Sequence, residues 1–176
     1  MILTSKKILE EMENGNIVID PFNKELLNPN SYNLRLHNEL FELTDEIIDM
    51  KKPTNYNKLV IPERGLLLKP GKLYLGRTVE YTITKNYVPM IEGRSSIGRL
   101  GISIHTTAGF GDIGFEGYWT LEISVVQPVI IYPFVEICQI YYCSTLGDIE
   151  KFYSGKYSKS KDIIVSKIYE ELNKSR

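Results

Sequence analysis

Short segments rich in strand-forming residues, separated by turns of proline, glycine and asparagine, run through most of this chain. A turn dipeptide, Pro70-Gly71, predicts that the two segments beside it form a hairpin. Segment 51–58 is polar and predicts a connection. Many short strands with frequent turns favour a mainly β fold, built as a sandwich or a distorted barrel. The predicted strands lie at 17–19, 32–36, 40–43, 66–68, 73–81, 88–91, 102–105, 118–126, 129–132 and 137–142.

Helices are predicted only near the two ends of the chain and at one central turn. Ser5 can cap an amphipathic helix that Gly15 ends. A helical turn is expected at 96–100, and a last helix at 165–172. Segment 153–162 is polar and rich in lysine, so it predicts a flexible tail rather than another strand.

A chain of 176 residues is long enough to bury a core of its own and fits one domain. We place the β domain, together with its N-terminal helix, at 1–152. We assign 153–176 to a flexible C-terminal tail, or lid, that belongs to the same domain.

Charge and hydropathy narrow the classes of partner. The formal net charge is −1 at pH 7 and no basic block is present, which argues against binding to a nucleic acid polymer. The most apolar stretch, 125–142, is interrupted by prolines, glutamines and a glutamate, so it predicts buried strands rather than a membrane span. Two cysteines cannot build a disulfide framework, and the first residues lack a signal-peptide pattern. A cytoplasmic location is therefore expected.

Segment 118–126 is the most informative of the predicted strands. Because side chains alternate along a strand, one face of this segment is wholly apolar and predicts core. The other face carries Tyr118, Thr120, Glu122 and Ser124. Partial burial of Glu122 among such neighbours would favour its neutral form and bring its pKa toward the working pH, as a general base requires. An ordinary ion pair between Glu122 and an arginine across the sheet is the alternative.

The wider segment 92–122 holds residues suited to grip a polyphosphate and activate a water beside it. Guanidinium groups give forked hydrogen bonds to phosphate oxygens, and serine hydroxyls and backbone N–H groups add further donors. Carboxylates can accept a proton from water. Ordinary ion pairs in a β-rich domain explain the same composition equally well. The residues concerned are Arg94, Ser95, Ser96, Arg99, Asp112 and Glu122.

Taken in order, these blocks resemble the signature region of the dCTP deaminase family, within the wider dUTPase-like superfamily. The fold that this resemblance implies is a distorted β-barrel or sandwich of the dUTPase-like type. Similar motifs near both ends extend the resemblance over nearly the whole chain. The matching blocks are GRSSIGRL at 93–100, TAG at 107–109, Asp112, GFEG at 114–117, TLE at 120–122, SYNLRL at 31–36 and YSGKY at 153–157.

The resemblance implies catalytic roles for four positions. Glu122 would be the general acid and base of deamination, while Ser95 and the backbone of Ala108 would hold the attacking water. Arg99 would polarise or steady the same site.

It also implies a substrate-binding surface. Asp112 would hydrogen-bond the deoxyribose, Thr120 and Leu121 would frame the base, and Tyr153 and Lys156 would belong to a tail that closes over the triphosphate. The full set is Arg94, Ser95, Ser96, Ile97, Gly98, Arg99, Asp112, Thr120, Leu121, Glu122, Tyr153, Lys156 and Ser160.

The resemblance implies a homotrimer with active sites at the subunit boundaries. It also implies that Mg²⁺ binds through the triphosphate of the substrate, which would be dCTP or dUTP. A zinc deaminase would need an H-x-E motif and a P-C-x-x-C motif. His105 is followed by two threonines, and Cys138 and Cys143 have the wrong spacing. The resemblance therefore implies hydrolytic deamination of dCTP to dUTP without zinc, using Glu122 as the proton carrier.

The final product stays open at this point. Deamination of dCTP to dUTP and ammonia, which supplies dUMP for thymidylate synthesis, is slightly favoured. The close alternative is a bifunctional enzyme that also cleaves dUTP to dUMP and pyrophosphate, since the TAG triplet at 107–109 resembles bifunctional members. A dUTP diphosphatase alone and a non-catalytic nucleotide-binding regulator are the remaining alternatives.

Five positions depart from the family pattern. Ser160 stands where relatives usually carry a glutamine that contacts the nucleotide, so this contact of the tail is in doubt. The other departures are Asn33 for aspartate, His37 for glycine, Gly111 for isoleucine and Ile113 for proline.

Overall fold

The computed structural model describes residues 1–174 and is built mainly from antiparallel strands. The strands are β1 (Ile17–Asp20), β2 (Tyr32–Leu43), β3 (Tyr56–Val60), β4 (Leu66–Leu68), β5 (Tyr74–Thr84), β6 (Val88–Gly93), β7 (Ile102–Ser103), β8 (Glu116–Val125), β9 (Val129–Ile131) and β10 (Glu136–Cys143). The helices are α1 (Ser5–Glu13), α2 (Ser95–Gly98) and α3 (Ile168–Leu172), and a 3₁₀ turn lies at Lys24–Leu26. The prediction of a mainly β fold with short helices near both ends is confirmed.

Eight of the strands form one large, barrel-like sheet in the order β6-β10-β2-β5-β8-β7, with β1 added beside β5 and β3 beside β2. The remaining two, β4 and β9, form a small separate sheet. The long strands β2, β5 and β8 lie next to one another. Antiparallel pairing of β5 with β8 sets Leu75 opposite Glu122 and Arg77 opposite Thr120.

The core is formed by the inward faces of these strands. On β8 every second residue is buried, which confirms the alternation predicted for 118–126. Aromatic and branched aliphatic side chains fill the interior, as expected for closely packed strands. The largest fully buried side chains are those of Tyr32, Tyr142, Ile8, Ile17, Leu34, Leu36, Leu40, Ile61, Leu68, Ile91, Leu121 and Ile123.

One strand was predicted as two. Strand β2 runs without a break through 32–43, whereas the sequence predicts separate strands at 32–36 and 40–43. The pairing register of β2 with β5 shifts between Leu36 and Leu40. A local bulge of this kind lets a strand continue through the residues between two regular ladders, although the pattern of alternation is lost there.

The predicted hairpin around Pro70-Gly71 is wrong. Gly71 does form a turn with a positive φ of 75°, but the strands on either side pair elsewhere. Strand β4 pairs with β9, with Leu67 opposite Ile130, and β5 pairs with β2 and β8. Because β5 has two longer partners in the main sheet, the short β4 pairs with a distant segment.

Several element boundaries also differ from the sequence prediction, and β3 was not predicted as a strand at all. Strand β3 starts inside the predicted connection 51–58, because paired backbone groups rather than apolar side chains define this exposed strand. Thr4, not Ser5, caps α1 by accepting a hydrogen bond from the Lys7 N–H group. Helix α3 begins at Ile168 rather than at 165. Within residues 1–174, no helix is long and apolar enough to cross a membrane.

An ion pair inside the sheet joins β2 to β5. Glu80 is fully buried, and its carboxylate accepts hydrogen bonds from the Arg35 side chain at 2.6 Å and from the Arg35 backbone N–H at 2.8 Å. Burial of a carboxylate is tolerated only where such partners replace water. The pair therefore fixes the position of β2 relative to β5.

The chain after β10 packs back onto the β domain. The Tyr153 N–H group donates to the Ile113 carbonyl at 2.7 Å, and Ser160 is 5% exposed beside Gly117. Near the end, the Asn173 amide donates to the Lys51 carbonyl at 2.8 Å. A lid function for this tail stays a prediction. Residues 175–176 of the predicted tail lie outside the described residues.

Candidate active site

A cavity of about 490 Å³ lies beside the outward face of β8. Four parts of the chain enclose it: strand β8 with its neighbours, the loop that precedes β8, the loop between β2 and β3, and the C-terminal tail. Its walls combine apolar side chains with a few polar groups, as expected for a small-molecule site. It is lined by Leu43, Thr54, Leu73, Leu75, Ala108, Phe110, Gly111, Asp112, Phe115, Tyr118, Trp119, Thr120, Glu122, Tyr153, Tyr157, Ser160, Ile164, Val165 and Ser166.

Glu122 contributes a carboxylate to the wall of this cavity. The side chain is half-buried, and its partner across the sheet is the apolar Leu75. Burial raises the pKa of Glu122 above its ordinary value, with nearby His105 opposing the shift in part. A carboxyl group in this setting holds a proton more readily than one in water, which suits it both to accept and to return protons.

The loop before β8 runs unusually close to β6. The Ile91 N–H group donates to the Gly109 carbonyl at 2.8 Å, and the Ile91 carbonyl lies 2.9 Å from His105 Nε2. A Cβ atom on Gly109 would lie only 2.4 Å from the Ile91 carbonyl oxygen. Glycine is therefore required here, because a side chain would push the loop away from β6.

A second glycine has the same function two residues later. A Cβ atom on Gly111 would lie 2.5 Å from the Trp119 ring and 2.8 Å from the Pro89 carbonyl oxygen. This close packing holds the loop so that Ala108 and Asp112 both reach the cavity. Asp112 is exposed and can contact a ligand in solution.

The tail completes the cavity. Tyr153 packs at a centroid distance of 6.3 Å from Phe115, which in turn contacts Trp119 at 4.3 Å. Ser160 is buried, with its hydroxyl donating to the Asp162 carbonyl at 2.9 Å. The tail side of the cavity is therefore held by aromatic packing and by hydrogen bonds of its backbone.

Six of the predicted site residues thus meet at one cavity. They are Ala108, Asp112, Thr120, Glu122, Tyr153 and Ser160. Leu121 lies between Thr120 and Glu122 in sequence, but its side chain is 1% exposed and belongs to the core. Leu121 does not line the cavity.

The predicted phosphate-binding residues lie on a different surface, at and around α2. Arg94 is paired with Glu136: the two side chains approach to 3.0 Å, and Arg94 also donates to the Glu136 carbonyl at 2.8 Å. Asn33 donates to the same Glu136 carboxylate at 2.6 Å. None of the predicted residues 94–99 is among the described residues that line the cavity.

Within that surface, the residues differ in exposure. Ser95, Ser96, Gly98 and Arg99 are exposed, and Ile97 is half-buried against the core. The side chain of Lys156, predicted to close over a triphosphate, instead pairs with Glu171 near the end of the tail. The single chain therefore presents the carboxylate cavity and the α2 surface as two separate sites.

Some residues that line the cavity were not predicted from the sequence. Phe110, Ile164 and Val165 line it, but none of them carries a polar group that marks a site. Leu75 could have been found, since it belongs to a predicted strand whose alternation places it on one face. The tail residues Ile164 and Val165 carry no local signal of a site, because their contacts depend on how the tail folds back.

The described residues offer no cluster for a resident metal ion. No group of three or more His, Cys, Asp or Glu side chains within residues 1–174 is arranged to hold one. Cys138 is fully buried, and burial raises the pKa of its thiol, so the thiolate that zinc binds is disfavoured.

Comparison with known proteins gives a consistent set of relatives. The sequence profile of the dCTP deaminase-like family matches residues 2–145. A Clostridium acetobutylicum protein named dCTP deaminase, dUMP-forming, is 60% identical over 171 residues, which cover 97% of this chain and 98% of that protein. A Cytophaga hutchinsonii protein of the same name is 56% identical, covering 99% of this chain and all of that protein.

A solved structure shares the fold. The crystal structure of 2'-deoxycytidine 5'-triphosphate deaminase from Agrobacterium tumefaciens superposes with a TM-score of 0.61 and 20% sequence identity. The match covers 80% of this chain and 47% of that longer chain. At this identity the likeness shows a shared arrangement of strands and no more.

Proposed function

The chain belongs to the dCTP deaminase-like family, and from this premise we propose that it hydrolyses dCTP in two steps to dUMP. In the first step, water replaces the cytosine amino group and ammonia leaves. In the second step, a further water cleaves dUTP to dUMP and pyrophosphate. The observation that carries the proposal is one cavity lined by two carboxylates in different settings, Glu122 half-buried and Asp112 exposed.

Glu122 is the proton carrier of the first step. It takes a proton from water as the oxygen bonds to C4 of the base, and it returns protons so that the C4–N bond breaks and ammonia departs. A raised pKa suits both tasks, because the carboxyl group must gain and lose a proton in one cycle. General acid–base catalysis of this kind contributes about 10²–10⁴-fold.

Positioning supplies the rest of the rate. Ala108 lines the cavity, and its backbone would hold the attacking water. Thr120 lies beside Glu122 on the same face of β8, where its hydroxyl can contact the base. The apolar wall from Leu75 excludes water and strengthens every polar contact that the substrate makes.

Asp112 is suited to the second step. Its carboxylate is exposed and can orient or deprotonate a water directed at a phosphate. It lies on the loop fixed by Gly109 and Gly111, which holds it in the same cavity as Glu122. Two different carboxylates therefore serve two different hydrolyses.

The names of the relatives support one of the two products considered from sequence. Sequence alone slightly favours dUTP as the end product, with dUMP as the alternative. Relatives at 55–60% identity that match 97–99% of this chain carry the name dUMP-forming. This supports the bifunctional alternative.

The α2 surface would bind the triphosphate. Arg94 and Arg99 can donate to phosphate oxygens, together with the hydroxyls of Ser95 and Ser96. Since these residues do not line the cavity of their own protomer, we propose a homotrimer in which α2 of one protomer faces the cavity of the next. Ser95 and Arg99 would then meet Glu122 across a subunit boundary.

Magnesium would arrive with the substrate. The triphosphate supplies the oxygen ligands that Mg²⁺ prefers, and no residue cluster of the described chain is needed to hold the ion. Mg²⁺ is thus expected to neutralise phosphate charge, while the protein residues orient the nucleotide.

Product analysis tests the proposal. The purified protein is incubated with Mg²⁺ and either dCTP or dUTP, and products are resolved by anion-exchange chromatography with a separate ammonia assay. We expect dCTP to give dUMP, pyrophosphate and ammonia. Accumulation of dUTP from dCTP would mean a deaminase alone, cleavage of dUTP alone would mean a diphosphatase, and no turnover would mean a nucleotide-binding protein.

Two variants separate the steps. Glu122→Gln should stop ammonia release while dUTP cleavage persists, and Asp112→Asn should let dUTP accumulate from dCTP. Glu63→Gln, in an exposed turn, is the matched control and should behave as the wild type. Equal loss of both steps in both variants would contradict the division of roles.

A further inference from the structure

Arg77 projects from β5 onto the face of β8 that carries the site. Its guanidinium carbon lies 4.3 Å from the centre of the Tyr118 ring, and the Tyr81 ring contacts the Tyr118 ring edge-on. Only 13% of the Arg77 side chain is exposed. The charge is therefore stacked against an aromatic wall of the cavity, a favourable arrangement for a guanidinium group.

The tail supplies the one carboxylate that the structure pairs with Arg77. Asp162 Oδ1 lies 3.4 Å from Arg77 Nε, a nitrogen that is buried and makes no hydrogen bond within the described residues. The same Asp162 oxygen accepts a hydrogen bond from the Ile163 N–H group at 2.7 Å. Asp162 is thus held by the backbone of the tail and faces the charge on β5.

The pair lies where the tail joins the cavity. The Lys159 N–H group donates to the Glu116 carbonyl at 2.6 Å, and the Ile164 N–H group donates to the Thr120 hydroxyl at 3.2 Å. Ser160 and Ile164, on either side of Asp162, both line the cavity. Any movement of Asp162 away from Arg77 would move this wall.

We infer that Arg77 is a positioning residue that, through Asp162, holds the tail segment 159–164 on β8 and so sets the fit of the substrate. The inference rests on the proposed function only in naming the nucleotide as the ligand. Arg77 touches no reacting atom. It determines the fraction of time for which segment 159–164 is packed on β8 when a nucleotide binds.

The magnitude follows from the exposure of the two charges. Asp162 is 58% exposed, so solvent screens the pair, and a contact of this kind changes an equilibrium about two- to fivefold. Arg77→Met also removes the stacking of the guanidinium group on Tyr118. We therefore expect the equilibrium to change about tenfold when the whole guanidinium group is removed.

The test compares Asp162→Asn, Arg77→Met and the double variant. Asparagine keeps the hydrogen bond from the Ile163 N–H group and removes only the charge. We expect faster hydrogen exchange at the Lys159 and Ile164 amides, about two- to fivefold in Asp162→Asn and about tenfold in Arg77→Met. The double variant should be no worse than Arg77→Met, because both changes break one interaction.

Kinetics give the second readout. KM for dCTP should rise by similar factors, while kcat changes less than twofold, since the reacting groups are untouched. Lys161→Met, an exposed tail residue next to Asp162, is the matched control and should alter neither quantity. The charge exchange Arg77→Asp with Asp162→Arg should recover part of the amide protection lost in Arg77→Asp alone.

Several results would overturn the inference. Unchanged exchange at Lys159 and Ile164 in Arg77→Met would show that the tail is held without Arg77. Strictly additive effects in the double variant would show that the two residues act separately. Since hydrogen exchange needs no turnover, a protein that failed to process dCTP would refute the proposed function and still leave this measurement decisive.

Discussion

Glu122 and Leu75 face each other across the antiparallel pairing of β5 with β8, and both line the same cavity. An apolar partner cannot replace the water that a carboxylate loses on burial. Burial therefore raises the pKa of Glu122, and the pairing of these two strands sets the acidity of the proposed catalytic group.

The pH dependence of deamination should report this pairing. A general base must be ionised in the free enzyme, so kcat/KM should fall as the pH drops through the pKa of Glu122. Because that pKa is raised, the acid limb should lie above the ordinary glutamate value of about 4.3. Leu75→Asn should hydrate the carboxylate and move the limb to lower pH. Val60→Asn, on exposed β3, should leave it in place.

Glu122→Gln should stabilise the protein relative to the wild type, and the gain in unfolding free energy should be larger at neutral pH than at acid pH. A raised pKa means that the fold favours the neutral carboxyl group, so its stabilising contribution is complete below the unfolded pKa. That contribution declines as the pH rises through the folded pKa. Urea unfolding of both proteins at pH 4 and pH 7 measures the difference. A difference independent of pH would contradict the assignment.

Arg94→Ala should weaken nucleotide binding, by about 10-fold or more if the guanidinium donates charge-assisted hydrogen bonds to phosphate. Titration calorimetry with dCTP and Mg²⁺, in the Glu122→Gln background to prevent turnover, measures the affinity. Glu136 needs a separate check, because the loss of Arg94 leaves its carboxylate with only the Asn33 amide among the contacts described. Unaltered affinity would remove Arg94 from the phosphate site.

Gly109→Ala should destabilise the protein by about 1–3 kcal/mol, because the new Cβ atom would overlap the Ile91 carbonyl oxygen and the His105 ring. Both neighbours are held by the strand backbone and by packing, so the loop must shift. Gly93→Ala is the control, since its nearest neighbour would be a side-chain atom at 3.9 Å. Chemical denaturation of the two variants should separate them clearly.

Arg35→Met should cost about 3–5 kcal/mol of unfolding free energy, because it leaves the fully buried Glu80 carboxylate without its cation. Lys72→Met removes an exposed partner of Glu42 and should change stability by less than about 1 kcal/mol. Guanidinium or urea titrations of both variants measure the contrast. Equal effects would mean that Glu80 finds other partners or takes up a proton.

Local patterns were enough to predict most strands and three residues of the cavity, Asp112, Thr120 and Glu122, whereas Ala108, Tyr153 and Ser160 were predicted only from the family resemblance. The alternation in 118–126 predicted which side of β8 is buried, because period-two patterning depends only on adjacent residues. It also placed Thr120 and Glu122 on one face, and the structure opens the cavity there.

Contacts between distant segments could not be predicted in this way. The pairing of β4 with β9 and of Arg94 with Glu136 joins residues far apart in sequence, and no local pattern encodes such partners. The tail was predicted as flexible from its polar composition, yet its backbone bonds to β8 through Lys159 and Ser160. Nearly every residue type has the same backbone N–H and C=O groups, so the composition of the tail does not indicate which of them bond to β8.

Trp119 is the one tryptophan of the chain, and it lies at the cavity. The residue is 7% exposed, and its ring donates to the Thr82 hydroxyl at 2.9 Å and packs against Phe115. Indole fluorescence depends on the polarity and rigidity of the surroundings. The protein therefore carries a built-in optical reporter, so that binding of a nucleotide and movement of the tail can be followed in real time without a label.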